Sequence, residues 1–159
     1  MHESQRVYGD KLVDREDKDV FVKLQHACFQ VAKSSNDELI EDECFRLPNI
    51  YCHFSGGIGL TGGEPKYTPV DNWSQLNKTL LKALDSYNEL NSAMNLVLFE
   101  DAMMHVCRIN RILELPRGNA LLIGVGGSGK QSLSRLAAFI SDLEVFQIQF
   151  RKGIQFLLY

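Results

Sequence analysis

The sequence predicts an α/β fold in which a helical segment precedes the start of a P-loop domain, and three observations carry that prediction. Ala120-Leu121-Leu122-Ile123 is a short apolar run that suits a buried parallel strand. Gly124-Val125-Gly126-Gly127-Ser128-Gly129-Lys130 follows it and fits G-x-x-x-x-G-K. A helical pattern through Leu133, Leu136, Ala137 and Ile140 comes next. Strand, glycine loop and helix in that order is the context a phosphate loop requires, so residues 118–149 read as the opening of a nucleotide-binding domain.

Toward the N-terminus, Val20, Leu24, Cys28 and Val31 recur at helical spacing, with Asp17 or Asp19 placed to cap the start. Residues 34–37 break that pattern, and Pro48 ends the short acidic stretch from Glu38 to Phe45. Residues 55–65 hold too much glycine for regular structure and read as a loop between two pieces. The expected division is thus 1–54 helical, 55–70 linker and 71–159 the beginning of the P-loop domain. Past Pro69, Asp71 is a good N-cap for a helix with Trp73, Leu76, Leu80, Leu84 and Tyr87 on one face. A second apolar stripe runs through Phe99, Ala102, Met103, Val106, Ile109 and Leu113, until Pro116 and Gly118 stop it.

The loop's residue types follow from the chemistry of an anion. A polyphosphate needs several N–H donors converging on a small volume, which demands that the backbone wrap closely around it. Side chains would obstruct the wrap, so Gly126, Gly127 and Gly129 keep it clear. The helix that follows adds unpaired N–H groups and a positive dipole end. Lys130 brings a mobile full charge, and the N–H groups from Gly126 to Ser132, Ser128 among them, are expected to hold the β-phosphate. The expected ligand is ATP or ADP with Mg2+. One residue departs from the motif: Gln131 stands where Ser or Thr usually binds magnesium. Ser132 does not simply replace it, since one helical step turns a side chain by ~100°. The Gln131 amide oxygen is therefore the candidate metal ligand, a weaker one, and hydrolysis is in doubt.

Gly124, Gly126 and Gly129 also satisfy G-x-G-x-x-G, the dinucleotide fingerprint. Lys130 has no role in that fingerprint. The acid expected after the second strand is also missing, because Val145 to Ile148 leads to Gln149 and Phe150. Leu96-Val97-Leu98-Phe99-Glu100-Asp101 imitates the strand that carries a metal-binding carboxylate, but its surroundings keep helical spacing, so it reads as helix with solvated acids. His105 and Arg108 read as surface residues. Asp142 and Glu144 precede the 145–149 run rather than ending a strand, so no catalytic residue is assigned.

Bulk properties narrow the class. In 159 residues, 45% are hydrophobic and 23% charged, with net charge −3, which gives no electrostatic case for nucleic acid or anionic lipid. No apolar run approaches the ~20 residues that span a bilayer, and no apolar core follows the first six residues as in a signal peptide. An intracellular chain is expected. Cys28, Cys44, Cys52 and Cys107 show no C-x-x-C pair, so zinc through Cys44, Cys52 and His53 is weighed below free thiols.

A family resemblance rests on Asn95 to His105, Cys107 to Leu113 and Pro116 to Leu133. These stretches resemble axonemal dynein heavy chains, which carry a ring of six AAA+ modules. Gly129-Lys130-Gln131-Ser132 is similar to the phosphate loop of the fourth module, where Gln131 is the normal residue. Glu64 to Tyr67 and Leu76 to Leu80 resemble the approach to that module, and Glu3 to Asp14 the end of the third module's small helical subdomain. The resemblance covers about residues 3–152. Leu60 to Gly63 look like extra residues, and 154–159 do not continue the pattern. The resemblance implies part of an ATP-driven microtubule motor of cilia and flagella, located in cytoplasm, cytoskeleton and axoneme. Its implied partners are nucleotide, microtubules, neighbouring AAA+ modules and dynein intermediate and light chains. A segment of this kind is expected to have no motor activity alone, as a non-enzymatic truncated product would.

Overall fold

The computed structural model describes residues 1–36, 38–45, 47–58 and 66–148. Helix α1 (His2–Val7) has Glu3 in its first turn and Arg6 in its last, and Arg6 closes back onto Glu3. A 3-10 turn at Gly9–Lys11 leads to α2 (Arg15–Ser35). The α2 N-cap is Asp14, so Asp17 falls in the first turn, where a carboxylate suits the helix dipole rather than capping it.

The face expected to be buried on α2 is the exposed one. Val20, Leu24, Cys28 and Val31 face outward, while Gln25 and Phe29 turn in. Partners remote in sequence decide this. Gln25 Nε2 donates to Ser4 Oγ at 3.0 Å, and Phe29 meets Phe45 edge-on with centroids 5.4 Å apart. The short α3 (Glu41–Cys44) lies ahead of the cis bond between Leu47 and Pro48.

Strands β1 (Tyr51–Cys52) and β2 (Thr68–Pro69) pair antiparallel, with Tyr51 opposite Pro69 and Cys52 opposite Thr68. The N–H of Val70 donates to the carbonyl of Ile50 at 2.9 Å, extending the pairing. The glycine-rich residues 59–65 lie outside the described residues.

Helix α4 (Trp73–Leu90) is capped by Asn72, whose Oδ1 accepts from the N–H of Gln75 at 2.8 Å, one place beyond the expected Asp71. Leu76, Leu80, Ala83 and Leu84 are buried, with Trp73 and Tyr87 half-buried at the ends of the stripe. Helix α5 (Glu100–Leu113) starts later than its periodicity suggested. Leu96–Phe99 is not helical, and Phe99 is the exposed N-cap rather than the first core residue. Asn77 Nδ2 holds that approach by donating to the carbonyl of Leu98 at 3.1 Å. After α5 the N–H of Gly118 donates to the carbonyl of Leu115 at 2.9 Å. A Cβ on Gly118 would lie 1.7 Å from the carbonyl oxygen of Ile112, so glycine is required at this reversal.

Helix α6 (Lys130–Ile140) packs on α5 and α4. Leu80, Val106 and Leu136 are fully enclosed there, each contributing about 1.5–3 kcal/mol of apolar burial. Ile50, Cys52, Phe54 and Val70 join the same core, so both sides of the glycine-rich stretch pack against α4–α6. The buried thiols of Cys52 and Cys107 hydrogen-bond to one another, and that bond and burial push Cys107 up, keeping it protonated.

The expected parallel strand is not formed. Residues 120–123 have no ladder partner among the described residues, and Leu121 and Ile123 are 86% and 87% exposed. The same holds for residues 145–148, with Phe146 and Ile148 exposed. A strand exists only when neighbouring backbone takes up its N–H and C=O groups. The described residues are therefore helical with one small antiparallel pair. Gln149, Phe150 and residues 151–159 lie outside them.

Candidate functional site

The loop between residue 123 and α6 is shaped by its own glycines. Gly127 and Gly129 both sit at φ +78, where a side chain costs roughly 1–2 kcal/mol. Gly129 is the N-cap of α6, and its carbonyl accepts the helix's first turn bond from the N–H of Leu133 at 2.9 Å. Gly124 is the loop glycine that other side chains approach. A Cβ there would lie 3.0 Å from Ser128 Oγ and 3.5 Å from Lys130 Nζ. At Gly126, Gly127 and Gly129 an added Cβ meets only open space, which leaves the concave side of the loop clear.

Lys130 folds back across this loop. Its Nζ donates to the carbonyl of Gly124 at 2.8 Å, the carbonyl of Val125 at 2.6 Å and Ser128 Oγ at 3.0 Å. The N–H groups of Lys130, Gln131 and Ser132 open α6 and have no acceptor one turn back within it. Positive dipole end, open backbone and a lysine on neutral acceptors together make a cradle that fits a phosphate. Gln131 is exposed and Ser132 half-buried, so the two side chains leave the helix in different directions.

Arg135 was missed in the sequence. One turn beyond Gln131, it donates from a terminal guanidinium nitrogen to Gln147 Oε1 at 2.6 Å, tying the chain after α6 back to the helix.

The remaining candidates are dispersed. Glu100 and Asp101 are exposed in the first turn of α5, and His105 is exposed. Arg108 is not an idle surface residue, since it donates to Asp10 Oδ1 at 3.0 Å. Asp142 and Glu144 are exposed, Asp142 at φ +54 just past α6. Among the described residues no three of His, Cys, Asp and Glu gather as a metal ligand set, so Cys44, Cys52 and His53 are not brought together as one. Nor is any helix among them long and apolar enough to cross a membrane.

Comparison with known proteins now decides the family. Residues 94–157 match the model of the P-loop containing dynein motor region D4, and residues 1–46 match the AAA+ lid domain. The chain is 61% identical over 153 residues to the ciliary dynein beta chain of Heliocidaris crassispina, covering 96% of this chain and 3% of that one. It is 60% identical over 157 residues to dynein axonemal heavy chain 9 of Homo sapiens, covering 98% and 3%. Against the flagellar outer arm dynein alpha chain of Chlamydomonas reinhardtii it is 49% identical over 144 residues, covering 88% and 3%.

The chain belongs to the axonemal dynein heavy-chain family.

The D4 model contains the whole phosphate loop and α6, and its match runs to residue 157, past the point where the resemblance was expected to lapse. The chain spans about 3% of the length of these relatives.

Proposed function

We propose that Gly124 to Ser132 hold the phosphates of ATP or ADP within the fourth AAA+ module of an axonemal dynein heavy chain. The observation that carries this reading is the Lys130 ammonium poised over an open glycine loop on three neutral oxygens. Turning toward a phosphate exchanges those neutral acceptors for a charged one, which forms the stronger bond. Gly126, Gly127, Ser128 and Gly129 present the loop N–H groups, and those of Lys130, Gln131 and Ser132 add the helix end. In this reading Gln131 would hold Mg2+, which would supply positive charge to offset that of the phosphates.

The same reading assigns residues 1–46 to the lid of the preceding module. We place the division near Pro48, ahead of the 55–70 stretch, because Ile50, Cys52 and Phe54 pack with α4–α6. Completion of a parallel sheet around residues 120–123, microtubule motor work in the axoneme, and contact with further modules and smaller dynein chains belong to the proposal for the whole protein. Hydrolysis by this segment alone is not part of it. Glu100 and Asp101 start a helix, and Asp142 and Glu144 end no strand.

Amide hydrogen exchange with and without ADP tests the site directly. The reading expects slowed exchange confined to residues 126–132. Protection elsewhere, or none at saturating ADP, would refute it.

A further inference from the structure

Cys52 and Cys107 lie far apart in the sequence, yet the fold brings their side chains into contact. Side chains alternate along a strand, so on β1 Cys52 turns inward while Tyr51 stays half-buried on the other face. Cys107 belongs to the buried face of α5. β1 packs against that helix, and the two thiols meet there as hydrogen-bond partners. Both are free thiols, Cys52 fully enclosed and Cys107 only 3% exposed.

The pair is not symmetrical. The Cys52 sulfur accepts from the Cys107 S–H and from the backbone N–H of Phe54. The bond from Cys107 holds the Cys52 thiol below its ordinary value; burial opposes that effect and the Phe54 bond adds to it. A buried cysteine among apolar groups alone is inert, whereas a sulfur held by two donors beside a second thiol is set up to be oxidised and then resolved. Cys107 also lines a cavity of about 630 Å³ between the N-terminal helices and the α4–α5 face. That volume far exceeds the ~10–15 Å³ that a water-sized molecule needs, so a small oxidant has a route to the Cys107 side of the pair.

We propose that Cys52 and Cys107 form a peroxide-sensitive pair that closes to a reversible disulfide, with Cys52 attacking and Cys107 resolving. The Cys52 thiolate attacks one peroxide oxygen and the O–O bond breaks. The hydroxide that leaves takes up the proton Cys52 gave away, and Cys52 is left as a sulfenic acid. The Cys107 sulfur then attacks the Cys52 sulfur, the S–O bond breaks, and a second water departs with the Cys107 proton. Two thiols have lost two electrons, and hydrogen peroxide has become two waters. The disulfide ties β1 to α5, the helix on which α6 packs, and closes a loop through residues 53–106.

Hydrogen peroxide added to the full chain under native conditions tests this, with later alkylation of the remaining thiols and peptide mass spectrometry without reduction. The expected product is one dominant linkage, joining the Cys52 and Cys107 peptides with loss of two hydrogens, and dithiothreitol should restore both thiols. A chain unfolded in urea before oxidation should instead give mixed pairings that include Cys28 and Cys44. Dimedone, which captures sulfenic acids, should label Cys52 in Cys107→Ser, and the label at Cys107 should be lost in Cys52→Ser. Three outcomes in the parent would overturn the proposal without need of any variant: both thiols staying free while Cys28 or Cys44 is oxidised, Cys107 pairing instead with Cys44 on the same cavity wall, or native and unfolded chains giving the same mixture.

Discussion

Asn110 and Ser141 join the ends of two packed helices through a half-buried hydrogen bond: Asn110 Nδ2 donates to Ser141 Oγ at 2.8 Å. Asn110 is only 1% exposed and sits among the apolar residues of α5. Ser141 is the C-cap of α6. The bond fixes how far α6 slides along α5, and so where the loop at its other end stands. Asn110→Ala should destabilise the chain by about 0.5–1.5 kcal/mol, the net worth of an ordinary hydrogen bond, since the half-buried serine loses its partner. Urea unfolding midpoints at low protein concentration, read for Asn110→Ala, Ser141→Ala and the double variant, check this. Additive losses would show that the pair does not act as one.

The N-terminal helix is locked by a relay with a defined proton arrangement. Arg111 donates to Tyr67, Tyr67 to His2 Nε2 at 2.7 Å, and His2 Nδ1 to the carbonyl of Asn49 at 3.0 Å. This order requires a neutral imidazole. Burial holds the His2 pKa below its ordinary 6.5, although the backbone bond to Asn49 and the nearby Glu3 pull the other way. Below pH 6.5 the unfolded chain therefore takes up a proton that the folded chain refuses. Stability from His2 is full above that value and is lost as pH falls through the folded pKa. Glu3, held below 4.5 by its bond to Arg6, acts only at lower pH. The pH profile of the unfolding midpoint should fall below 6.5 in the parent, and the fall should flatten in His2→Gln. Parallel profiles would remove His2 as the cause.

The helices of the core were legible because their apolar spacing meets partners close by. Leu76, Leu80 and Leu84 on α4, Val106 on α5 and Leu136 on α6 all sit where periodicity put them. The face of α2 was not legible, because two faces carry apolar residues and the choice rests on Phe45 and Ser4, which lie outside the helix. The strand expected at 120–123 has no ladder partner among the described residues, since pairing depends on backbone contributed from elsewhere. In the loop the residue types pointed to Gly127, Gly129 and Lys130. The approach of Ser128 and Lys130 to Gly124 and the tether from Arg135 to Gln147 needed coordinates.

Exposed apolar residues beside the loop set the behaviour of the isolated chain. Leu121 and Ile123 alternate along backbone with no ladder partner among the described residues, and Phe146 and Ile148 repeat the pattern after α6. Unpaired backbone with apolar side chains invites pairing with a second copy. Sedimentation velocity should show association that rises with concentration and that Leu121→Thr with Ile123→Thr reduces. A monomer at every concentration, in parent and variant alike, would argue against this.

Gln131 bears on magnesium. A neutral amide is a bulkier and less well placed ligand than the usual hydroxyl at an octahedral ion. Gln131→Thr should therefore increase the dependence of ATP affinity on Mg2+, measured by calorimetric titration with and without the metal. Unchanged dependence would mean that Gln131 does not face the metal.

Nucleotide binding by Lys130 and the glycine loop is the central claim, and calorimetry of ADP binding to the parent chain and to Lys130→Ala tests it most directly. The account predicts measurable binding by the parent, weakened in the variant by about 1–3 kcal/mol, the usual loss for a charge-assisted bond. Equal affinity of the two chains, or no binding by the parent, would contradict it.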